Sequence, residues 1–233
     1  MKRALALWSG GIDSTTCLYK LLKDPEFSAY EVGGLFFNYG QLGFDGELTC
    51  VRRLARHIRR VEPDFQHRFL GFKQAKVSMP NHFLTGGEAV AYGKGYSSAM
   101  VPMRNSIFAT IAYYHARIIG ADLISIGINA SARMQNRVSF PDCTPAWVDA
   151  MQKVFDLENA AVGVSERPVK IYAPLVEMTK PDIAAEAKRL DVPEYSTWGC
   201  YFPTEKHGKQ IPCGECEPCR IRKAAGLTLG GEA

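Results

Sequence analysis

The sequence predicts a doubly wound α/β fold on a mostly parallel sheet, ending in a C-terminal metal-binding appendage, and three observations predict it. Short apolar runs alternate with amphipathic stretches of helical period through residues 4–70, the βαβαβ order of half a doubly wound domain. The first run, Leu5-Ala6-Leu7-Trp8, stops at Ser9-Gly10-Gly11 and restarts as a helix carrying Asp13 and Ser14. Near the end of the chain, Cys200, Cys213, Cys216 and Cys219 follow the spacing C-x12-C-x2-C-x2-C. Residues 1–190 are expected to form the α/β domain and residues 191–233 a tail packed on it.

Residues 4–8 read as the first strand, apolar throughout because a central parallel strand is covered on both faces. A helix over 14–22 ends before Asp24-Pro25. Residues 31–38 (EVGGLFFN) give a second buried strand, and 47–60 a second helix with Leu48, Val51, Leu54, Ala55 and Ile58 on one stripe. Its arginines, Arg52, Arg53, Arg56, Arg59 and Arg60, form a solvated face. Residues 65–70 are a third strand. From 72 to 103 the rhythm breaks into a long irregular stretch containing Gly86-Gly87 and Gly93-Lys94-Gly95-Tyr96; loops of this length inside a domain are usually functional. A helix over 106–119 follows, its stripe being Phe108, Ile111, Ala112, His115 and Ile118, on which His115 reads as a buried core histidine. Residues 123–127 (LISIG) are the fourth strand and 128–144 a second irregular stretch ending in Phe140-Pro141-Asp142-Cys143. A helix over 145–161, a strand over 169–172 and a helix over 180–190, with Thr179 as N-cap and Pro181 in its first turn, complete the domain.

A hydrophobic content of 46% over 233 residues is enough for a packed core and argues against disorder. A net charge of +4 suits an anionic small molecule and is too weak to indicate nucleic acid, so no direct nucleic-acid partner is expected. No apolar run nears the ~20 residues of a membrane span, and the first residues carry no cleavage signature. A cytoplasmic protein without a membrane partner is therefore expected. Seven cysteines, an odd number with three inside CGECEPC, indicate a metal site in a reducing compartment and not a disulfide framework.

Two adjacent glycines before a helix let backbone N–H groups approach an anion, with the helix dipole adding partial positive charge. Ser9 and Ser14 add hydroxyls, and Asp13 is placed to hold a metal ion carried by a nucleotide. No Walker lysine is present. In open α/β sheets ligands bind beyond the carboxyl ends of the strands. The segments 9–14, 38–41, 103–105 and 127–143 all fall at that edge and are expected to line one cleft. In it Tyr39, Gln41, Arg104, Asn105, Asn129, Asp142 and Cys143 are candidate substrate contacts. Asn105 equally fits a helix cap, and Cys143 a packing role. The four-cysteine set suits a closed tetrahedral Zn²⁺ site, which leaves no position for an activated water and so reads as structural; an iron–sulfur cluster is the competing reading. Cys17 and Cys50 fall within helices as core fillers.

The loop Ser9-Gly10-Gly11-Ile12-Asp13-Ser14 resembles the pyrophosphate loop of the ATP pyrophosphatase superfamily. Val101-Pro102-Met103-Arg104-Asn105, Gly127-Ile128-Asn129, Phe140-Pro141-Asp142-Cys143 and the four cysteines follow it in order. With all five, the chain resembles the 7-cyano-7-deazaguanine synthase (QueC-type) family along nearly its whole length. The resemblance implies a Rossmann-like domain of the adenine nucleotide alpha hydrolase type, a structural Zn²⁺, a homodimer, and ATP-dependent activation of 7-carboxy-7-deazaguanine. In that chemistry the carboxylate is adenylated, ammonia gives an amide, and a second adenylation with dehydration gives the nitrile. It implies that Ser9, Gly10, Gly11, Asp13, Ser14 and Thr15 hold ATP and its Mg²⁺, that Asp13, Ser14 and Arg104 are catalytic, and that Arg104 stabilises phosphate charge or pairs with the carboxylate.

Two segments depart from the family pattern. Gln41-Leu42-Gly43 stands where a Gln-Arg-His is usual, and Ser139-Phe140-Pro141-Asp142-Cys143-Thr144 where the family has Ser-Gly-Tyr-Pro-Asp-Cys-Arg. Both concern the acceptor end of the cleft. They leave open a paralogue, of the kind found in bacterial antiphage defence gene clusters, that joins the activated deazaguanine to an amine on a partner protein. A tRNA-modifying relative and a non-catalytic nucleotide-binding module are the more distant alternatives.

Overall fold

The computed structural model describes residues 2–61, 65–88, 99–129, 133–134, 137–138, 140–161 and 168–231. Its elements are β1 (Lys2–Leu7), α1 (Ile12–Lys23), β2 (Tyr30–Asn38), α2 (Phe44–Val61), β3 (Phe69–Lys76), α3 (Arg104–Ile119), β4 (Leu123–Ser125), β5 (Arg133–Met134), β6 (Arg137–Val138), α4 (Pro145–Ala161), β7 (Lys170–Tyr172), α5 (Lys180–Arg189), β8 (Thr204–Lys206), β9 (Lys209–Ile211) and α6 (Glu217–Ala224). Five strands form one sheet in the order β3-β2-β1-β4-β7, every neighbouring pair parallel. β5–β6 and β8–β9 are separate antiparallel hairpins. No helix among the described residues is long and apolar enough to cross a membrane.

The central strand shows why the first run is apolar at every position. Ala4, Ala6 and Trp8 face one core with Leu18, Leu22, Val51 and Leu54 of α1 and α2. Leu5 and Leu7 face the other, with Ala109, Ala112 and Ala116 of α3 and Phe155 of α4. Alternate side chains of a strand point to opposite faces, so covering both faces demands apolar residues throughout. The sheet reverses its winding direction between β1 and β4, the point at which such sheets bind ligands.

Three elements differ from the expectation. The third strand is not 65–70 but Phe69–Lys76. Phe65 to Arg68 form a turn, and the Arg68 guanidinium donates to the carbonyls of Leu21, Leu22, Phe27 and Tyr30, tying that turn to α1 and β2. Among the described residues β3 is an edge strand paired with β2 alone, so it is less buried than the central strands and turns polar after Phe72, which an apolar-run criterion does not follow. The buried positions of α3 are Ser106, Ala109, Ala112 and Ala116; of the expected stripe Ala112 is buried and Phe108 and Ile111 pack against the core, while Ile118 is 69% exposed. Small residues let α3 lie close on β1 and β4 while larger ones flank the contact. His115 is accordingly half-buried beside Tyr114 instead of in the core.

The helix expected over 47–60 starts three residues earlier, at Phe44, and includes Gly46. Arg52, Arg56, Arg59 and Arg60 lie on its exposed side as expected, and Arg53 is half-buried. Gly93-Lys94-Gly95-Tyr96 and Ser139 lie outside the described residues. A Cβ on Gly46 would fall within the Trp198 indole, so the glycine that hides the helix start in the sequence is there for packing. An alanine in a helix interior is ordinarily about 1 kcal/mol better than glycine. Here Gly46→Ala should instead destabilise by roughly 1–3 kcal/mol through overpacking, read as a lower urea midpoint with an unchanged slope.

Candidate active site

β1 delivers the chain into a tight turn whose own hydroxyls brace it. Ser14 Oγ accepts from the Ser9 amide at 3.1 Å, donates to the Gly11 carbonyl at 3.2 Å, and lies 3.0 Å from Ser9 Oγ. The first helical bond of α1 is Thr15 N–H to the Gly11 carbonyl at 3.0 Å. The N–H groups of Ile12, Asp13 and Ser14 precede it and have no partner within the helix, which is the anion-binding arrangement. Gly10 sits at φ +77°, and a Cβ there would meet Glu47 O and Val51 Cγ2 at 3.0 Å. A Cβ on Gly127, beyond β4, would lie 2.9 Å from the Ser14 nitrogen. The loop is therefore pressed between α2 and the end of β4. Thr15 is not at the cradle: fully buried, it accepts from Trp8 Nε1 at 3.1 Å.

Asp13 does not offer a free carboxylate. Both its oxygens accept from Lys180 Nζ at 2.7 Å, and Oδ2 also accepts from Asn129 Nδ2 at 3.0 Å. Lys180 opens α5 behind the Thr179 cap, where Asp182 Oδ2 accepts from the Thr179 amide at 2.8 Å. A divalent ion at Asp13 would compete with this ammonium for the same oxygens. The pair instead puts a cation from the far end of the chain beside the phosphate-type loop. Lys180 was not a sequence candidate; its one signal is a position immediately after an N-cap, too common to single out.

These groups border a cavity of about 340 Å³ at the carboxyl edge of the sheet, within the usual range for a small-molecule site. It brings together Ser9, Gly11, Asp13, Ser14, Tyr39, Arg104, Asn105, Asn129 and Cys143 from the predicted set. Gln41 and Asp142 are not among its lining residues. Gln41 is buried, donating to the Phe37 carbonyl and to Glu47 Oε2 at 2.9 and 2.8 Å while accepting from the Tyr39 amide. Asp142 Oδ2 accepts from the Asn105 amide at 3.1 Å and so caps α3 from outside the helix. Asn105 does not cap that helix with its own side chain; its Nδ2 donates to the Asp142 carbonyl at 3.2 Å and to Cys143 Sγ at 3.4 Å.

Arg104, the first residue of α3, follows Met103 at φ +57°, a left-handed conformation that a residue with a Cβ adopts at a cost. Its Nη1 donates to Tyr39 Oη at 3.5 Å. Burial, reinforced by Asp142, pushes the Cys143 thiol up to about 12, so it stays protonated and is no primed nucleophile. Glu47 lines the same cavity and was missed because it reads as an ordinary charge in the first turn of an arginine-rich helix. Burial raises its carboxyl from 4.5 to about 7, against the opposing pull of the Gln41 hydrogen bond and Arg104.

The Sγ atoms of Cys200, Cys213, Cys216 and Cys219 all lie within 4.8 Å of one another, with closest pairs at 3.5, 3.5 and 3.9 Å. Four thiolates around one tetrahedral ion at about 2.3 Å stand about 3.8 Å apart, so the set fits a single metal ion. A cluster of four irons would hold its thiolates farther apart. Cys50 of α2 and Trp198 pack against the group. Residues flanking the ligands reach the cavity: Tyr201 follows Cys200, and Glu217 and Pro218 follow Cys216. The buried Arg222 of α6 clamps this module by donating to the Thr228 carbonyl at 2.7 Å, Thr197 Oγ1 at 2.9 Å and Glu194 Oε2 at 3.3 Å.

The model of the queuosine biosynthesis protein QueC matches residues 3–229. The 7-cyano-7-deazaguanine synthase of Synechococcus sp. (strain CC9311) is 34% identical, over 97% of this chain and 93% of that protein. The enzymes of the same name from Anaeromyxobacter sp. (strain Fw109-5) and Methanospirillum hungatei JF-1 are 33% and 32% identical, over 95% and 98% of this chain and 90% and 96% of theirs. A solved structure, the U34-tRNA thiolase NcsA from Methanococcus maripaludis with its [4Fe-4S] cluster, shares 18% identity over 97% of this chain and 63% of its own. Its TM-score of 0.40 makes that likeness too distant to bear on this site.

A carboxyl raised by burial favours the fold while it is protonated. The stability it allows is fully present below about pH 4.5 and is lost as pH rises through about 7. The shift corresponds to a cost of up to about 3 kcal/mol at pH 8. Glu47→Gln should therefore raise the melting temperature at pH 8 and leave it nearly unchanged at pH 5, as thermal unfolding at the two pH values would show.

Proposed function

The chain belongs to the QueC family of queuosine biosynthesis proteins, and on that premise we propose that it is an ATP-dependent ligase converting 7-carboxy-7-deazaguanine and ammonia to 7-cyano-7-deazaguanine. The observation that carries this reading is the shared cavity. One end is a helix N-terminus with two serines and the Lys180–Asp13 pair, the other an arginine among aromatic rings. The name of the relatives favours ammonia as acceptor over an amine on a partner protein.

A carboxylate oxygen is a poor leaving group, so its displacement by nitrogen needs prior activation. The substrate carboxylate attacks the α-phosphate of ATP, pyrophosphate leaves, and ammonia then displaces AMP to give the amide. Repetition of the activation on the amide oxygen, with loss of two protons from nitrogen, gives the nitrile. The amides at the start of α1 and the hydroxyls of Ser9 and Ser14 bind the departing pyrophosphate, and Lys180 offsets the charge that collects there. Asp13 positions Lys180 and Asn129. Arg104 pairs with the acid or with the α-phosphate. Asp13 would take a Mg²⁺ carried by ATP in exchange for its contacts with Lys180.

The four cysteines hold Zn²⁺, which supplies no chemistry of its own and fixes the wall carrying Tyr201 and Glu217 against the cavity. The apolar residues left exposed on α3 and α4, among them Tyr114 and Ile118 on α3 and Val154 and Leu157 on α4, support a homodimer.

Purified protein should release AMP and pyrophosphate only when the deazaguanine acid is present, and with ammonia should yield the nitrile by mass spectrometry. Release of ADP, or no release with that acid, would sink the reading. Elemental analysis should find one zinc per chain in a colourless protein. Removal of the metal by a chelator should lower the melting temperature; two or more irons per chain would overturn the zinc assignment.

A further inference from the structure

The proposed reaction asks one cavity to hold two purine-like rings, the adenine of ATP and a deazaguanine, without exchanging them. Their pyrimidine edges differ in the way a carboxylate can distinguish. The guanine-type edge presents two adjacent donors, N1–H and the 2-amino group. Adenine presents an acceptor at N1. In the deazaguanine acid the reacting carboxyl group is on the five-membered ring, on the side of the bicycle away from this edge. A group that grips the edge therefore leaves the carboxyl free to meet the phosphate.

We propose that Glu47 reads the N1–H and 2-amino edge of the deazaguanine acid, an inference that rests on the substrate reading above. Asp13, another carboxylate lining the cavity, is already bonded to Lys180 and Asn129. Glu47 accepts one bond, from Gln41 to Oε2 at 2.8 Å, and no bond to Oε1 is found among the described residues. Gln41 is itself fixed by the Phe37 carbonyl and the Tyr39 amide, so the carboxylate is held in one plane by a side chain outside the cavity. That is the support a recognition group needs to discriminate by geometry.

The surroundings fit a flat heterocycle. Tyr39, Phe108, Phe140 and Tyr201 line the same cavity, and Phe108 is stacked on Phe37 with centroids 4.1 Å apart. Glu47 belongs to α2, which packs against Gly10 of the loop, and it lines the cavity shared with the start of α1, so a ring gripped there lies in the same cavity as the phosphate end. A buried carboxylate that receives two N–H donors gains charge-assisted hydrogen bonds. The ionised carboxylate, which two N–H donors favour, would find at adenine one donor, the 6-amino group, beside the repelling N1 lone pair, and the lost bond discriminates more strongly than a shape difference. Glu47 thereby assigns each ring to its own place.

The test compares AMP release from 7-carboxy-7-deazaguanine with release from the analogue lacking the 2-amino group, 7-carboxy-7-deazahypoxanthine, in the wild type and in Glu47→Gln, Glu47→Asp and Glu217→Gln. The wild type should prefer the parent acid by about 100-fold in kcat/KM. Glu47→Gln should shrink that preference to below about 10-fold, chiefly through the KM for the acid, with the KM for ATP moving far less. Glu47→Asp, which keeps a carboxylate, should retain part of the preference and serves where the Gln variant does not fold. A wild-type preference below about three-fold, a Glu47→Gln variant with the full wild-type ratio, or loss of the ratio in Glu217→Gln instead would each overturn the role of Glu47. If the wild type releases AMP with neither acid, the substrate reading itself fails and takes this proposal with it. If the parent acid turns over without discrimination, only Glu47 is misassigned.

Discussion

The backbone of residues 9–11 has no room around it, and the rest of the molecule is arranged to meet that constraint. On one side Gly10 lies against α2, where a Cβ would meet Val51 and the Glu47 carbonyl. On another, the Gly10 carbonyl accepts from the Trp198 amide at 2.8 Å, which joins the cysteine module to the loop. Across the switch point Gly127 presses on the start of α1. A loop held by its neighbours on three sides can keep N–H groups aimed at an anion without reorganising when the anion arrives, and this preorganisation is what makes such groups effective.

The charges in the cavity follow the same logic. The Asp13–Lys180 pair is only partly exposed and joins the first helix of the domain to the last, so it fixes the relative position of α1 and α5 as well as a cation beside the start of α1. Glu47 is the opposite case, a carboxylate whose burial penalises its charged form. Local strain of this kind persists where function requires it and the surrounding packing supports it. The left-handed Met103 at the entrance to α3 is a second instance, one residue before Arg104.

The metal module is more than a clasp on the chain end. Its cysteines bring Tyr201, Glu217 and Pro218 to the cavity wall, while Arg222 ties α6 to the segment around Glu194 and to the tail at Thr228. The loop-rich segment beyond α5 has few apolar residues with which to hold such a wall. Four cysteine sulfurs spaced to hold one ion offer the cross-link that its core does not.

The sequence by itself determined the doubly wound order, the phosphate-type loop and the cysteine set, because each depends on local pattern: strand apolarity, adjacent glycines before a helix, and ligand spacing. It also pointed to part of the cavity lining, since the irregular segments 9–14, 103–105 and 127–143 fall at strand ends, where ligand contacts concentrate. Lys180, Glu47, Tyr201 and Arg222 escaped it, as did the true uses of Gln41, Asp142 and Thr15. None of these is announced by its neighbours in the chain. Lys180 matters because it lies 2.7 Å from a residue 167 positions away, and Glu47 because burial, not sequence context, alters its charge. Gly46 shows the same limit in the backbone, reading as the end of helical pattern until Trp198 is seen to need the space. Only the tertiary structure decided these roles, because contact and desolvation are properties of what the fold brings together.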